Sequence, residues 1–464
     1  MSSATTSPTL DPAFVVAFRV GTITQQQLDA VLERDRAAII FQLLELAAML
    51  KSGGPAVGPH TPSGAIPPFA KPGHSGKARP AAEPNRFVNH QAPCCPDCHG
   101  PLTRTGRCRK CVIEDIPANI QPEITEHTIH RDWCSHCKKQ VEPIVPDALP
   151  NSTFGHRTTV LSAWFHYDLG LTTSRILSVF HAHLHFKLTD GGLTETWHRL
   201  AQIVDPWYQQ IRQLCLKSAV LHADETGWRV DGSTWWLWCF TTQRETYYLI
   251  DDCRGREVLD EFFGGEFQGI LVTVFWAAYH GMSRTSQKCW PHLLRELKAI
   301  DAGTEGTGDW PEFAEKLRRL FRDVANLAAR RKELEPDPYA RKVLALDTRL
   351  SDLGSAAWTN PHARRLAKRL EKSVADLLTF VEFEGVPSDN NHAERTIRPA
   401  VEMRKLSYGN RSEKGAATRS VLMRIFRTLK QRGLEAVTTL EAALRTYTVT
   451  GQLPPLPEGV GSGG

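Results

Sequence analysis

No apolar run in this chain approaches the roughly 20 residues that a helix needs to cross a bilayer, which argues against a helical membrane protein. The first residues, Met1-Ser-Ser-Ala-Thr-Thr-Ser7, lack both the basic region and the apolar core of a secretory leader, so a cytoplasmic location is expected. In that reducing compartment, paired cysteines suggest metal ligation before disulfides. A large charge excess is also missing. The formal net charge of +5 permits contact with a polyanion without dictating it, so the clustering of Lys and Arg matters more than their total. What is present, 41% hydrophobic and 23% charged residues over 464 positions, fits a soluble globular chain of three or four modules.

The richest stretch runs from Ala219 to Asp251. An apolar lead-in, Ala219-Val-Leu221, delivers the pentapeptide His222-Ala-Asp224-Glu225-Thr226. The turn signal Asp231-Gly232 follows, and after it come two runs rich in β-formers, Thr234 to Phe240 and Glu245 to Ile250. This predicts three adjacent antiparallel strands with Asp224 at or just past the end of the first, where its carboxylate can face a cleft. Considered alone, an aspartate in that setting is more often a turn residue. The company it keeps further along the chain changes the odds.

Ahead of this stretch, Thr24-Gln-Gln-Gln27 has the form of a capping box. Leu28, Leu32, Ile39, Leu43, Leu46 and Leu50 follow at helical spacing until Gly53-Gly54, so residues 1–54 are expected to hold one amphipathic helix. It can pair protomers as a short coiled coil or dock on its own chain. Residues 55–91, rich in Pro, Gly and Ala, read as a disordered linker. Residues 92–145 hold three Cys-x-x-Cys knuckles: Cys95 with Cys98, Cys108 with Cys111, and Cys134 with Cys137. Four thiolates complete a tetrahedral zinc shell, so one Zn2+ is expected here, held by Cys95, Cys98, Cys134 and Cys137 or with Cys108 and Cys111 as the alternative pair. Such a closed site leaves no open position for hydrolytic chemistry.

Residues 146–216 carry helical period. Thr173 to Phe180, a turn at Gly191, and Leu193 to Leu200 resemble a helix-turn-helix that would present Thr194, Thr196, His198 and Arg199 to DNA. Gly269 to Phe275 reads as a buried strand, and Cys289-Trp-Pro-His292 begins a helix. The expected blocks are thus a core over 217–300, a helical insertion over 301–386, the last part of the core over 387–450 and a disordered tail over 451–464. In the last part of the core, Pro387 to Arg398 looks like a capped helix start, with Ser388 and the following Asn residues as caps and Glu394 in the first turns. A basic tract follows, including Arg404, Lys405, Arg411, Arg419, Arg424 and Arg432. Lys and Arg near a cleft carboxylate suit a phosphodiester substrate, because they neutralise the backbone that must be gripped.

Together, the His222 to Thr226 pentapeptide, the Gly269 to Tyr279 stretch, Cys289-Trp-Pro-His292-Leu-Leu-Arg-Glu-Leu297 and Asn390-Asn-His-Ala-Glu394-Arg with Arg398 resemble the insertion sequence 66 family of transposases. The resemblance covers nearly the whole chain. It implies a multi-domain α/β protein in which a ribonuclease-H-like mixed sheet is interrupted by a helical insertion. An N-terminal helix, a zinc-binding module and a helical DNA-binding region accompany it. It also implies a DDE-type polynucleotidyl transfer, in which two aspartates and a glutamate hold two Mg2+ or Mn2+ ions. Asp224 matches the first aspartate and Glu394 the glutamate, while Val274, directly before Phe275-Trp276, stands where the second aspartate belongs. The implied partners are double-stranded DNA at transposon ends and targets, contacted through Arg199, Arg395, Arg398, Arg404, Lys405 and Arg411, and further copies of the chain in a homo-oligomer. The implied location is the nucleoid. Valine offers no oxygen to a metal, so impaired cleavage is expected. The competing reading is a catalytically silent DNA-binding repressor or inhibitor derived from a transposase.

Overall fold

The computed structural model describes residues 83–95, 97–103, 110–117, 120–303 and 306–459. The expected N-terminal helix, most of the linker and Cys108 lie outside the described residues. The chain divides into two compact units, Met1–Asp115 and Ile116–Gly464. In the first, the described residues form no helix or strand, and the Cys95 knuckle closes through Cys95 N–H to Gly100 O (3.0 Å) and His99 N–H to Cys95 O (2.9 Å).

The second unit opens with a small hairpin, β1 (Asp132–Cys134) and β2 (Lys139–Val141), whose tip carries the knuckle of Cys134 and Cys137. Four helices follow: α1 (His156–Tyr167), α2 (Thr173–Leu184), α3 (Asp190–Ile203) and α4 (Asp205–Leu216). The central sheet is β3 (Val220–Val230), β4 (Ser233–Thr241), β5 (Thr246–Asp251), β6 (Phe267–Thr273) and β7 (Ser283–Lys288), in the spatial order β5-β4-β3-β6-β7. The first three strands form the antiparallel meander that the sequence predicts. Asp231 and Gly232 both take positive φ (48° and 75°), the turn that matches strand twist in a two-residue hairpin. Helix α5 (Arg256–Phe263) then crosses over, and β6 and β7 add in parallel.

Alternation along β6 divides the interior. Leu271 enters a core built with α1 to α5 and later helices, whereas Val272 enters a second core beneath the insertion. That insertion is helical as expected. It follows α6 (Trp290–Ala302) and comprises α7 (Trp310–Ala329), α8 (Pro336–Ser355), α9 (Pro361–Lys372) and α10 (Val374–Glu382). On α7, Phe313, Leu317, Leu320, Val324 and Leu327 recur at steps of four and three and are all buried, so the bundle face follows from spacing alone. Asn360 caps α9 by accepting from the amides of His362 and Ala363.

The chain returns to the sheet through α11 (Asn391–Ser407), α12 (Glu413–Gln431) and α13 (Ala436–Thr450). The expected disordered tail is corrected over its described part. Residues 451–459 lie along the core, where Leu456 is buried and Trp207 Nε1 donates to Pro454 O at 2.7 Å. A Pro-rich composition suggested disorder, but a proline segment needs few backbone partners and can dock by its carbonyls. No helix among the described residues is long and apolar enough to cross a membrane.

Candidate active site

Asp224 sits in the middle of β3 rather than at its end, which corrects the sequence expectation. On one side β3 pairs with β4 from His222 to Val230, Asp224 opposite Cys239. On the other side, pairing with β6 stops at His222 opposite Val272. Beyond that point β6 keeps only its β7 partner, through Thr273 opposite Lys288, and the chain then turns away: Trp276 N–H bonds back to Val274 O (2.9 Å) and a 3-10 turn covers Ala277–Tyr279. The cleft beside Asp224 therefore comes from divergence of a neighbour. Asp224 and Val274 each lie two residues past the last parallel pair, on two segments that diverge from that point. Val274 is half-buried and packs against the first core.

Glu394 arrives from the other end of the domain in the first turn of α11. Its position is set by Asn390, which the sequence marks as a helix cap. The structure corrects this, because the fully buried Asn390 side chain makes no cap bond. Instead Nδ2 donates to Ala223 O (2.8 Å), which leaves Oδ1 to accept from His222 Nδ1 (3.1 Å). Both ends of one amide thus clamp the start of α11 to the residues just before Asp224. His392 adds a bond from Nε2 to Thr242 O on the sheet (2.6 Å). Burial lowers the pKa of His222 to about 4, so this imidazole stays neutral and acts as a strut.

Glu394 does not pair with Arg398 one turn on. Its Oε1 accepts from Arg295 Nη2 on α6 (3.0 Å), and His292 Nε2 lies 3.7 Å away. Asp224 and Glu394 are close enough to interact. The Asp224 carboxyl is raised to about 7, first by burial, then by the charge of Glu225, with Glu394 adding to the effect and the Glu225 amide and Arg295 opposing it. Two carboxylates that feel each other's charge in a partly dry cleft suit a shared hard cation. Glu225, next to Asp224 in the chain, is engaged elsewhere. Its side chain, only 3% exposed, is held by Arg254 (2.9 Å) and the Tyr279 hydroxyl (2.8 Å), and Arg254 stacks on Trp236 and Trp276.

The family model described as the IS66 family of transposases matches residues 151–418. The chain belongs to that family. No curated protein matches it. The match spans the five-stranded sheet and the helical insertion, with Asp224, Val274 and Glu394 inside it. Membership of this transposase family implies a DNA partner and a divalent metal.

The basic residues sort into two groups once they are placed. Arg395, Arg398, Lys405 and Arg411 are exposed near the start and end of α11. Arg404 is half-buried and donates to Gly227 O and to Thr226 Oγ1, tying α11 to β3. Further along the tract, Arg419, Arg424 and Arg432 are buried. Arg419 donates to Asn410 Oδ1 (3.1 Å) and faces His166 Nε2 (2.9 Å), while Arg424 donates to the carbonyls of Tyr208 and Tyr248. Much of the apparent polyanion tract is thus interior scaffolding.

The expected recognition helix is also redrawn. Gly191 lies inside α3 rather than in a turn before it, and Trp197 and His198 face the core, with His198 Nδ1 bonded to Thr418 Oγ1 (2.6 Å). Thr194 is exposed, Thr196 is partly covered, and Arg199 donates to Pro150 O (2.8 Å). Cys134 and Cys137 form a tight local turn in which the Cys137 amide reaches Cys134 Sγ (3.3 Å). Cys95 and Cys98 fall in the other unit.

Proposed function

We propose that this chain is a DDE-type transposase with a ribonuclease-H-like core. It binds transposon-end DNA and directs Mg2+-dependent strand cleavage and transfer at Asp224 and Glu394, with activity depressed by Val274. The strand order, with an antiparallel meander next to two parallel strands and a helical insertion before Glu394, supports the core assignment. One observation carries the catalytic reading. Asp224 and Glu394, distant in sequence, meet at a clamp built from His222, Ala223 and Asn390.

Asp224 and Glu394 would hold a divalent ion. When bound, such an ion activates the attacking oxygen and stabilises the departing one. The protein's own part is positional. Asn390 and His392 fix the register of α11 on the sheet, so the glutamate is presented with little freedom left to lose. Arg395, Arg398, Lys405 and Arg411 line the outer side of the same helix and the loop after it, where they can neutralise phosphates of a bound strand. A second ion would have Asp224 as its one protein carboxylate, because Val274 contributes none. The cysteine knuckles fit a structural Zn2+, and assembly into a homo-oligomer belongs to the same proposal.

Val274 also favours a second reading, a silent DNA-binding repressor. Cleavage of the element's end DNA in Mg2+ or Mn2+ separates the two. Val274→Asp should raise cleavage on the order of a thousandfold, since a metal carboxylate is worth several kcal/mol in the transition state. No gain from that substitution, with Asp224→Asn equally inert, would leave the repressor.

A further inference from the structure

Cys289 is the residue immediately before α6, and His292 lies in the first turn of that helix. The three-residue step puts both side chains on the side that faces α11, where Glu394 waits. The ligand atoms of Cys289, His292 and Glu394 all lie within 4.8 Å of one another, the one such group among the described residues. A buried cysteine at a helix start can be a plain small core residue, as Cys215 and Cys239 are here. Cys289 differs in its surroundings. Its sulfur accepts a backbone N–H bond from Asn390 (3.3 Å), and it sits at the positive end of a 13-residue helix. An amide donor and a helix N-terminus help a metal-bound thiolate spread its charge.

We infer that Cys289, His292 and Glu394 form a three-ligand site for a borderline-soft divalent ion such as Zn2+, with one coordination position left open. It goes beyond the proposed Mg2+ chemistry and shares with it only Glu394. Sulfur and imidazole select against Mg2+, which takes oxygen ligands, and favour Zn2+ or its spectroscopic stand-in Co2+. Three protein ligands plus an open position is the pattern of a reactive zinc rather than a structural one. Arg295 is the cation an incoming ion must displace from Glu394. Its side chain is 57% exposed and can swing outward, and the Asp389 and Asp224 carboxylates remain close by to balance the added charge.

The test is Co2+ titration of the full chain in the absence of DNA, followed by absorption in the thiolate-to-cobalt charge-transfer region, and repeated with Zn2+ as competitor. The cysteine knuckles also bind Co2+, so the readout is the difference between chains. Cys289→Ser and His292→Gln should each remove one equivalent of bound Co2+ and part of the charge-transfer intensity, whether or not Cys95 and Cys134 are intact. His292 is half-exposed, so His292→Gln should keep the circular dichroism and the chelator-treated melting temperature of the parent. Unchanged stoichiometry in both variants overturns the site. Because no cleavage is measured, failure here leaves the Asp224 and Glu394 reading standing, and failure of cleavage leaves this site standing.

Discussion

Replacing Asp224 by Asn should stabilise the protein, and by an amount that grows with pH. In the folded chain the Asp224 carboxyl is raised from 3.8 to about 7, chiefly because burial and the Glu225 and Glu394 charges penalise its ionised form. Below pH 4 the folded and unfolded states are both protonated at this residue, so there is no penalty. Between pH 4 and pH 7 the unfolded chain ionises while the folded one does not, and stability falls as pH rises. Above pH 7 the loss is complete. The shift of about 3 pH units corresponds to a ceiling of about 4 kcal/mol at about 1.4 kcal/mol per unit. Asp224 is only half-buried, so solvent screening reduces this to about 2 kcal/mol. Asn has the same shape and no charge, so Asp224→Asn should be nearly neutral at pH 4 and raise the melting temperature by about 3 °C at pH 8. The assay is thermal unfolding of both chains in chelator across that range. The lowered pKa values of His166 and His222 act on both chains alike and cancel in the difference. A gap between the two chains that does not change from pH 4 to pH 8 would refute the reasoning, and with it the claim that two carboxylates crowd this cleft.

Asn390→Ala should cost about 2–4 kcal/mol in urea or thermal unfolding, because it strands the buried Ala223 carbonyl and the His222 N–H at once. Asn390→Asp should be at least as damaging, since it turns an oxygen toward that carbonyl; an unimpaired Asp variant would sink the clamp. His198→Ala should lower stability by about 1 kcal/mol through loss of the Thr418 bond and leave DNA affinity alone, which a groove-reading histidine would not do. Arg398→Ala should do the reverse: the melting temperature holds, while binding to end DNA weakens and the slope of log affinity against log salt falls by about 1.

Much of the domain is legible from residue patterns because those patterns are local. The alternating runs around Asp231-Gly232 dictate a hairpin, and the three- and four-residue steps of α7 dictate a bundle helix. Pattern reading fails where a side chain is used at long range. Asn390 has the sequence of a cap, yet its amide serves a strand 168 residues earlier. Arg419 and Arg424 have the sequence of a polyanion tract, but carbonyl oxygens and aromatic faces inside the domain take up their donors and charge. The Gly191 step looks like a turn between two helices because glycine weakens a helix, but Thr189 Oγ1 caps the Gly192 amide and starts α3 around it.

The amino-acid order alone determined that this chain is a transposase-type α/β protein, since strand, turn and helix patterns and the motifs around Asp224 and Glu394 are carried by neighbouring residues. Long-range packing set which charges face outward, where the cleft opens beside Asp224, and that Cys289, His292 and Glu394 converge. Those outcomes depend on which distant groups share a desolvated space, and short-range spacing holds no record of that.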